Sequence, residues 1–205
     1  LHLSLRRQRQ MCIRDRIVAK YQNYIVGGVI ATVIIVLGFL GYSSLVLEPN
    51  SEEANNELFT AQNYFSQALN DNENSDSLFL LSLNGGDGKY GFLDIADVYS
   101  GTKAGNLANY YAGIAYLNMK DYSNAVTYLN NFSSEDDVLG PISKGAIGDA
   151  FVQLEQLEDA YGYYVEAAKL KSNIYTTPMY LYKAGVIGLK ICLLYTSPSP
   201  RDVEE

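Results

Sequence analysis

The chain has 205 residues, enough for one domain with a modest core, and a formal net charge of −8. Its one His is His2 and its two Cys are Cys12 and Cys192. The stretch from Ile17 to Lys190 therefore has no means of forming a disulfide, a zinc site, a thiol nucleophile or a His acid–base pair.

The first sixteen residues, LHLSLRRQRQMCIRDR, hold no sustained helical or strand period. Near the other end, CLLYTSPSPRD breaks a helix-forming run with Pro198 and Pro200. The pieces MCIRDR and CLLYTSPSPRD resemble translated sequencing-adapter read-through. Residues 1–16 and 191–205 are accordingly expected to be non-native and are set aside for fold reasoning.

Residues 17–24 read as a short cytoplasmic stub. After them, IVGGVIATVIIVLGFLGYSSLVL (25–47) runs for 23 residues without a charge. At about 1.5 Å per residue such a helix reaches roughly 35 Å, enough for a hydrocarbon core of about 30 Å. Tyr21, Tyr24 and Tyr42 sit near the expected interfaces. A cleaved signal peptide, with Gly41, Ser43 and Ser44 near its end, is the competing reading, although its apolar stretch usually spans only about 7–15 residues. Arg14, Arg16 and Lys20 precede the run, and no basic residue occurs in the 40 that follow it. The positive-inside rule then places the body outside the cytoplasm.

Residues 48–190 carry 19 acidic and 8 basic side chains, a net charge of −11. That balance argues against nucleic acid and against anionic headgroups. With 14 Tyr, the segment is too aromatic for a disordered acidic tail. In chain order, SEEANNELFTAQNYFSQAL (51–69) places Ala54, Leu58, Ala61, Phe65 and Leu69 on one helical face. LNGGDGKYG then lacks the Gly-Lys-Ser/Thr of a phosphate loop, because Tyr90 follows Lys89, and lacks the alternating carboxylates of a calcium loop. It reads as an irregular turn. FLDIADVYSGTKAGNLA (92–108) follows.

Two stretches then echo each other: YYAGIAYLNMKDYSNAVTYL (110–129) and AIGDAFVQLEQLEDAYGYYV (146–165). Gly113, Tyr116 and Ala125 recur 35 positions later as Gly148, Phe151 and Ala160. Tyr122 recurs as Leu157, and Leu129 as Tyr164. These intervals predict two helices joined by a short turn, with Gly in the first facing Ala in the second where they approach closely. A helix-interior Gly costs about 1 kcal/mol relative to Ala, so its presence implies a steric demand. Asp121 is placed to cap the helix starting near Tyr122. Pro141 and Pro178 each fall in the first turn of a new helix. TTPMYLYKAGVIGLK opens a third unit, with Ala184-Gly185.

This pattern resembles the tetratricopeptide repeat family. Its small residue, aromatic at +3, small residue at +12, aromatic at +16 and Ala at +19 are matched by Gly148, Phe151, Ala160, Tyr164 and Ala167. The earlier copy matches at Gly113, Tyr116 and Ala125 but departs at Leu129 and Phe132, and neither copy keeps the family's Trp or terminal Pro. The expected architecture is all-α: one N-terminal transmembrane helix (25–47) followed by an α-solenoid of tetratricopeptide-like helix pairs. Its parts are a degenerate first repeat with a Gly-rich insertion (48–103), repeats at 104–139 and 140–175, and a truncated third repeat at 176–190.

The resemblance implies a concave groove lined by the first helix of each unit: Leu107, Tyr110, Ile114 and Leu117, then Ile142, Asp149, Val152 and Gln153. Such a face suits an extended or helical peptide. These positions carry no Lys or Arg, so clamping of a terminal carboxylate is not expected. One span followed by repeats is similar to the ancillary subunit of the bacterial Sec translocon, which implies a scaffold or chaperone-like adaptor for exported proteins. That places the chain in the inner membrane as a single-pass protein with its repeats in the periplasm. The alternative is a self-associating structural protein of the cell envelope. No enzymatic activity, cofactor, metal, nucleic acid or small-molecule substrate is expected; Asp94 with Asp97, or Glu158 with Asp159, read as solvated helix faces.

Overall fold

The computed structural model describes residues 21, 24, 26–42, 48–71, 73–86, 88–134 and 136–196, with only the backbone at 48, 49 and 193–196. Residues 1–20, 22, 23, 25, 43–47 and 197–205 lie outside this set, and with them most of the expected stub at 17–24, the basic residues Arg14, Arg16 and Lys20, and the end of the expected span. Among the described residues every regular element is a helix. The chain divides into two units after Pro49.

In the first unit, residues 26–42 form helix α1, with the apolar side chains of Val29, Ile34 and Phe39 exposed. Among the described residues no helix is long and apolar enough to cross a membrane.

The other helices are α2 (Glu48–Asn70), α3 (Ser75–Asn84), α4 (Phe92–Val98), α5 (Lys103–Asn118), α6 (Tyr122–Asn131), α7 (Leu139–Gln153), α8 (Leu157–Leu170) and α9 (Thr176–Thr196). The buried stripe of α2 is Ala54, Leu58, Ala61, Phe65 and Ala68, whereas Leu69 is exposed. The stripe keeps its alternation of four and three, which stays in phase with 3.6 residues per turn; a step from 65 to 69 leaves the face. Phe65 meets Phe79, Phe92 and Tyr111 edge-on at ring-centroid distances of 5.5, 6.0 and 5.2 Å, forming the first core.

Residues 48–103 thus hold α2 and a short pair, α3 and α4. The glycine-rich turn between α3 and α4 folds back on α2. Glu57 accepts from Lys89 Nζ at 2.6 Å and from the Tyr90 N–H at 3.1 Å. The Lys89 hydrogen bond holds the Glu57 carboxyl below the usual carboxylate range. Gly85 and Gly91 are needed here because a Cβ on either would strike backbone atoms of the opposite arm.

The α5–α6 and α7–α8 hairpins make the same turn 35 residues apart. In the first, the Lys120 N–H reaches the Leu117 carbonyl at 3.1 Å and the Asp121 N–H the Tyr116 carbonyl at 2.9 Å. In the second, Glu155 reaches Val152 at 3.2 Å and Gln156 reaches Phe151 at 2.9 Å. This is the Schellman pattern, which requires a left-handed residue just past the helix. Lys120 and Glu155 supply it with φ of 64° and 60°.

The facing contacts repeat as well. A Cβ on Gly113 would come within 2.5 Å of the Leu129 side chain, and one on Gly148 within 2.7 Å of the Tyr164 ring. Tyr116 stacks on Tyr128 at 5.4 Å, and Phe151 on Tyr163 at 5.3 Å. Ala125 and Ala160 are fully buried between their helices.

Each helix from α3 onward packs on the next, and α3 also touches α5, α5 touches α7, and α7 touches α9. Helices α6 and α8 meet more thinly, where the Tyr163 hydroxyl of α8 donates to Asn130 Oδ1 of α6 at 3.4 Å. The alternate helices α5, α7 and α9 therefore form one side of the stack, with α6 and α8 on the other. Helix α7, in the middle, buries residues all round: Gly140, Ser143, Gly145, Ile147 and Ala150. Helix α9 continues past Lys190, where the sequence reading ends the native chain, and stops two residues before Pro198.

Candidate functional site: the inner helix side

The expected groove residues lie on α5 and α7, both on the inner side. Several are partly committed to packing. Leu107 rests against the first core, Ile114 joins that core to the one around Leu129 and Ile147, and Leu117 packs on the latter. Val152 leans on the core of α8 and α9. Tyr110 lies tilted on Phe132 with centroids 5.2 Å apart, and burial raises its phenol pKa. Ile142 is half-buried and Gln153 is exposed. The groove residues thus form an apolar strip with partial exposure rather than a row of free side chains.

Asp149 lies at a polar centre on this side. Its carboxylate accepts from the Tyr164 hydroxyl at 2.5 Å and from Lys183 Nζ at 2.6 and 2.8 Å. Lys183 also sits 5.4 Å from the ring centroid of Tyr164 and 5.8 Å from that of Tyr180. These two rings stack with centroids 6.3 Å apart. Tyr180 reaches this position because Gly145 has no Cβ; one would overlap its ring. Burial, with the nearby Asp149 charge, pushes both the Tyr164 and Tyr180 phenols far up, so they are neutral donors at any physiological pH.

Lys183, Tyr180, Tyr164 and Gly145 were not among the groove residues read from the sequence. Lys183 brings a cation to the inner side, but Asp149 neutralises it in place. Its signal was the spacing: Asp149 and Lys183 are 34 apart, one short of the repeat, which puts them on neighbouring inner helices. Chemically the centre can donate and accept hydrogen bonds and offer aromatic faces. Among the described residues no group of three His, Cys, Asp or Glu is arranged to hold a metal ion.

No protein-family model, curated protein or solved structure matches this chain.

Proposed function

We propose that the chain is a membrane-anchored helical-repeat protein of the tetratricopeptide type, holding a segment of another protein against α5, α7 and α9 outside the cytoplasm. The observation that carries this reading is the duplicated hairpin: turn, glycine contact and aromatic stack all recur at an offset of 35. Stacked pairs of this kind present the alternate helices as a continuous surface. The half-exposed strip of Tyr110, Ile114, Ile142 and Val152, with Gln153 beside it, offers apolar contact and a few polar points to an extended or helical peptide.

The anchor is the uncharged run at 25–47. Its support is the apolar helix at 26–42, in which Thr32 donates its hydroxyl to the Gly28 carbonyl at 2.9 Å. The basic residues ahead of the run set the periplasmic direction. We favour binding over catalysis because the stretch from Ile17 to Lys190 holds neither His nor Cys. A scaffold or chaperone-like adaptor for exported chains is the form we favour.

Two measurements test this. Crosslinking in cells recovers a membrane or exported partner, and Tyr110→Ala with Leu117→Ala reduces that recovery. Gln153→Arg, at an exposed position outside the packing, does the same without touching stability. Unchanged recovery across all three positions removes the groove reading. Protection of residues 48–190 from protease added to spheroplasts reverses the topology.

A further inference from the structure

Tyr180 carries a hydroxyl that packing does not account for. The residue is 3% exposed, and among the described residues its hydroxyl makes no hydrogen bond. No side-chain oxygen or nitrogen sealed from solvent lacks a partner among those residues, so the little surface that Tyr180 keeps includes this hydroxyl. Phenylalanine would fill the space beside α7 equally well and bury no orphan polar group. Helix α7 makes room for the hydroxyl end of the ring in particular, since a Cβ on Gly145 would strike that oxygen and the two ring carbons next to it. Asp149 and Lys183, close by, keep unused hydrogen-bonding capacity. Asp149 Oδ1 accepts from Tyr164 and Lys183, whereas Oδ2 accepts from Lys183 alone. Lys183 has three N–H groups, and both its bonds end on Asp149. The two side chains are 34% exposed at Lys183 and 40% at Asp149. Tyr180 and Lys183 lie on the side of α9 that packs on α7 and α8, with Ala184 and Ile187, and not on its open side at Tyr182 and Val186.

We propose, on the groove reading above, that this centre holds the side-chain carboxamide of a glutamine in the segment bound along the inner helices. The spare capacity consists of two donors and one acceptor: the Tyr180 O–H, a Lys183 N–H and Asp149 Oδ2. A carboxamide supplies the complement, with two lone pairs on its oxygen and N–H groups on its nitrogen. The centre is neutral as a whole, because Asp149 and Lys183 cancel and the phenols stay protonated. A carboxylate would set its charge against Asp149 and bring no donor, and an ammonium would face Lys183 and bring no acceptor. A backbone amide points its C=O and N–H in opposite directions and can serve only one side of the centre. A serine hydroxyl has the right groups but sits directly on its Cβ, too short a reach for a hydroxyl as recessed as that of Tyr180.

The test uses the full chain in lipid nanodiscs and four pools of acetylated nonapeptide N-methylamides. Eight positions are random with Asn and Gln left out, and the central one is fixed as Gln, Glu, Lys or Leu. Mass spectrometry of the retained peptides is expected to show the Gln pool enriched more than about tenfold over each of the others. Tyr180→Phe should bring the Gln pool down to the level of the Leu pool while the melting temperature holds, because the hydroxyl bonds to nothing within the fold. Gln153→Arg should lower retention of all four pools alike. Equal retention of the pools, or a Gln preference that survives Tyr180→Phe, overturns the carboxamide site and leaves the groove standing. Retention of no pool overturns both. A lower melting temperature for Tyr180→Phe also overturns the site, because the hydroxyl then serves the fold.

Discussion

The α5–α6 hairpin and the α7–α8 hairpin share a backbone turn and a glycine at the closest approach, yet fill the space around them differently. Leu129 lies over Gly113 in the first, and Tyr164 lies over Gly148 in the second. The tyrosine brings a hydroxyl inward, and Asp149 and Lys183 gather on it. The position 35 before Asp149 is Ile114, so the first hairpin has no such centre. The steric rule of the repeat is fixed, while the polar content of the inner side varies from pair to pair.

The largest effects are expected where the glycines are tested. Gly113→Ala sets a methyl 2.5 Å from the Leu129 branch and 3.1 Å from its backbone N, which cannot move aside. Overpacking of about 3 kcal/mol, offset by about 1 kcal/mol of helix propensity, leaves a net loss of about 2 kcal/mol. Gly148→Ala meets only the edge of the Tyr164 ring, which can tilt, and loses about 1 kcal/mol. Gly162→Ala in α8 has nothing within 4 Å and gains about 1 kcal/mol. Urea unfolding followed by circular dichroism orders the three. A Gly113 variant as stable as the parent would show that close approach does not determine these pairs.

That contrast explains what the amino acids disclose by themselves. A glycine opposed to alanine or an aromatic leaves a sequence trace, because few other side chains fit, and the offset of 35 follows from it. The Asp121 cap was legible for a similar reason: a short carboxylate just before a helix has few other uses, and it accepts from the Asn124 N–H at 3.2 Å. The phase of α2 was read one residue off at its end, where Ala68 and Leu69 are both apolar and only the turn angle separates them. The Asp149–Lys183 pair escaped because it depends on how far one inner helix is rotated against the next, which spacing within a single pair does not encode. The left-handed residues escaped because neither Lys120 nor Glu155 is a glycine or asparagine.

Those two positions give a smaller and symmetrical effect. A side chain held at φ near 60° is strained by roughly 1–2 kcal/mol, and glycine removes the strain while adding freedom to the unfolded chain. Lys120→Gly and Glu155→Gly should each raise stability by about 0.5–1 kcal/mol. The double variant should show the sum, since the turns share no partner. Unequal gains in thermal melts would mean that the two turns, alike in hydrogen bonding, differ in strain.

The smallest effect separates the hairpins at the start of their second helices. Asp121 and Gln156 have nearly the same backbone angles, φ −87° and ψ 75° against φ −93° and ψ 74°. Asp121 caps its helix with a side-chain bond, and Gln156 makes none. Glutamine is one methylene too long to fold back onto the N–H three residues on, so the first turn of α8 keeps an orphan donor. Asparagine there has the reach of Asp121 without adding charge next to Glu158 and Asp159. Gln156→Asn should therefore stabilise the protein by about 0.5–1 kcal/mol, while Asp121→Ala costs about 1 kcal/mol. Melting temperatures of the two variants and their combination read this directly. If Gln156→Asn gains nothing while Asp121→Ala still loses, the cap at Asp121 contributes through its negative charge, which accepts from the Asn124 side chain at 2.7 Å and which Asn does not bring to 156.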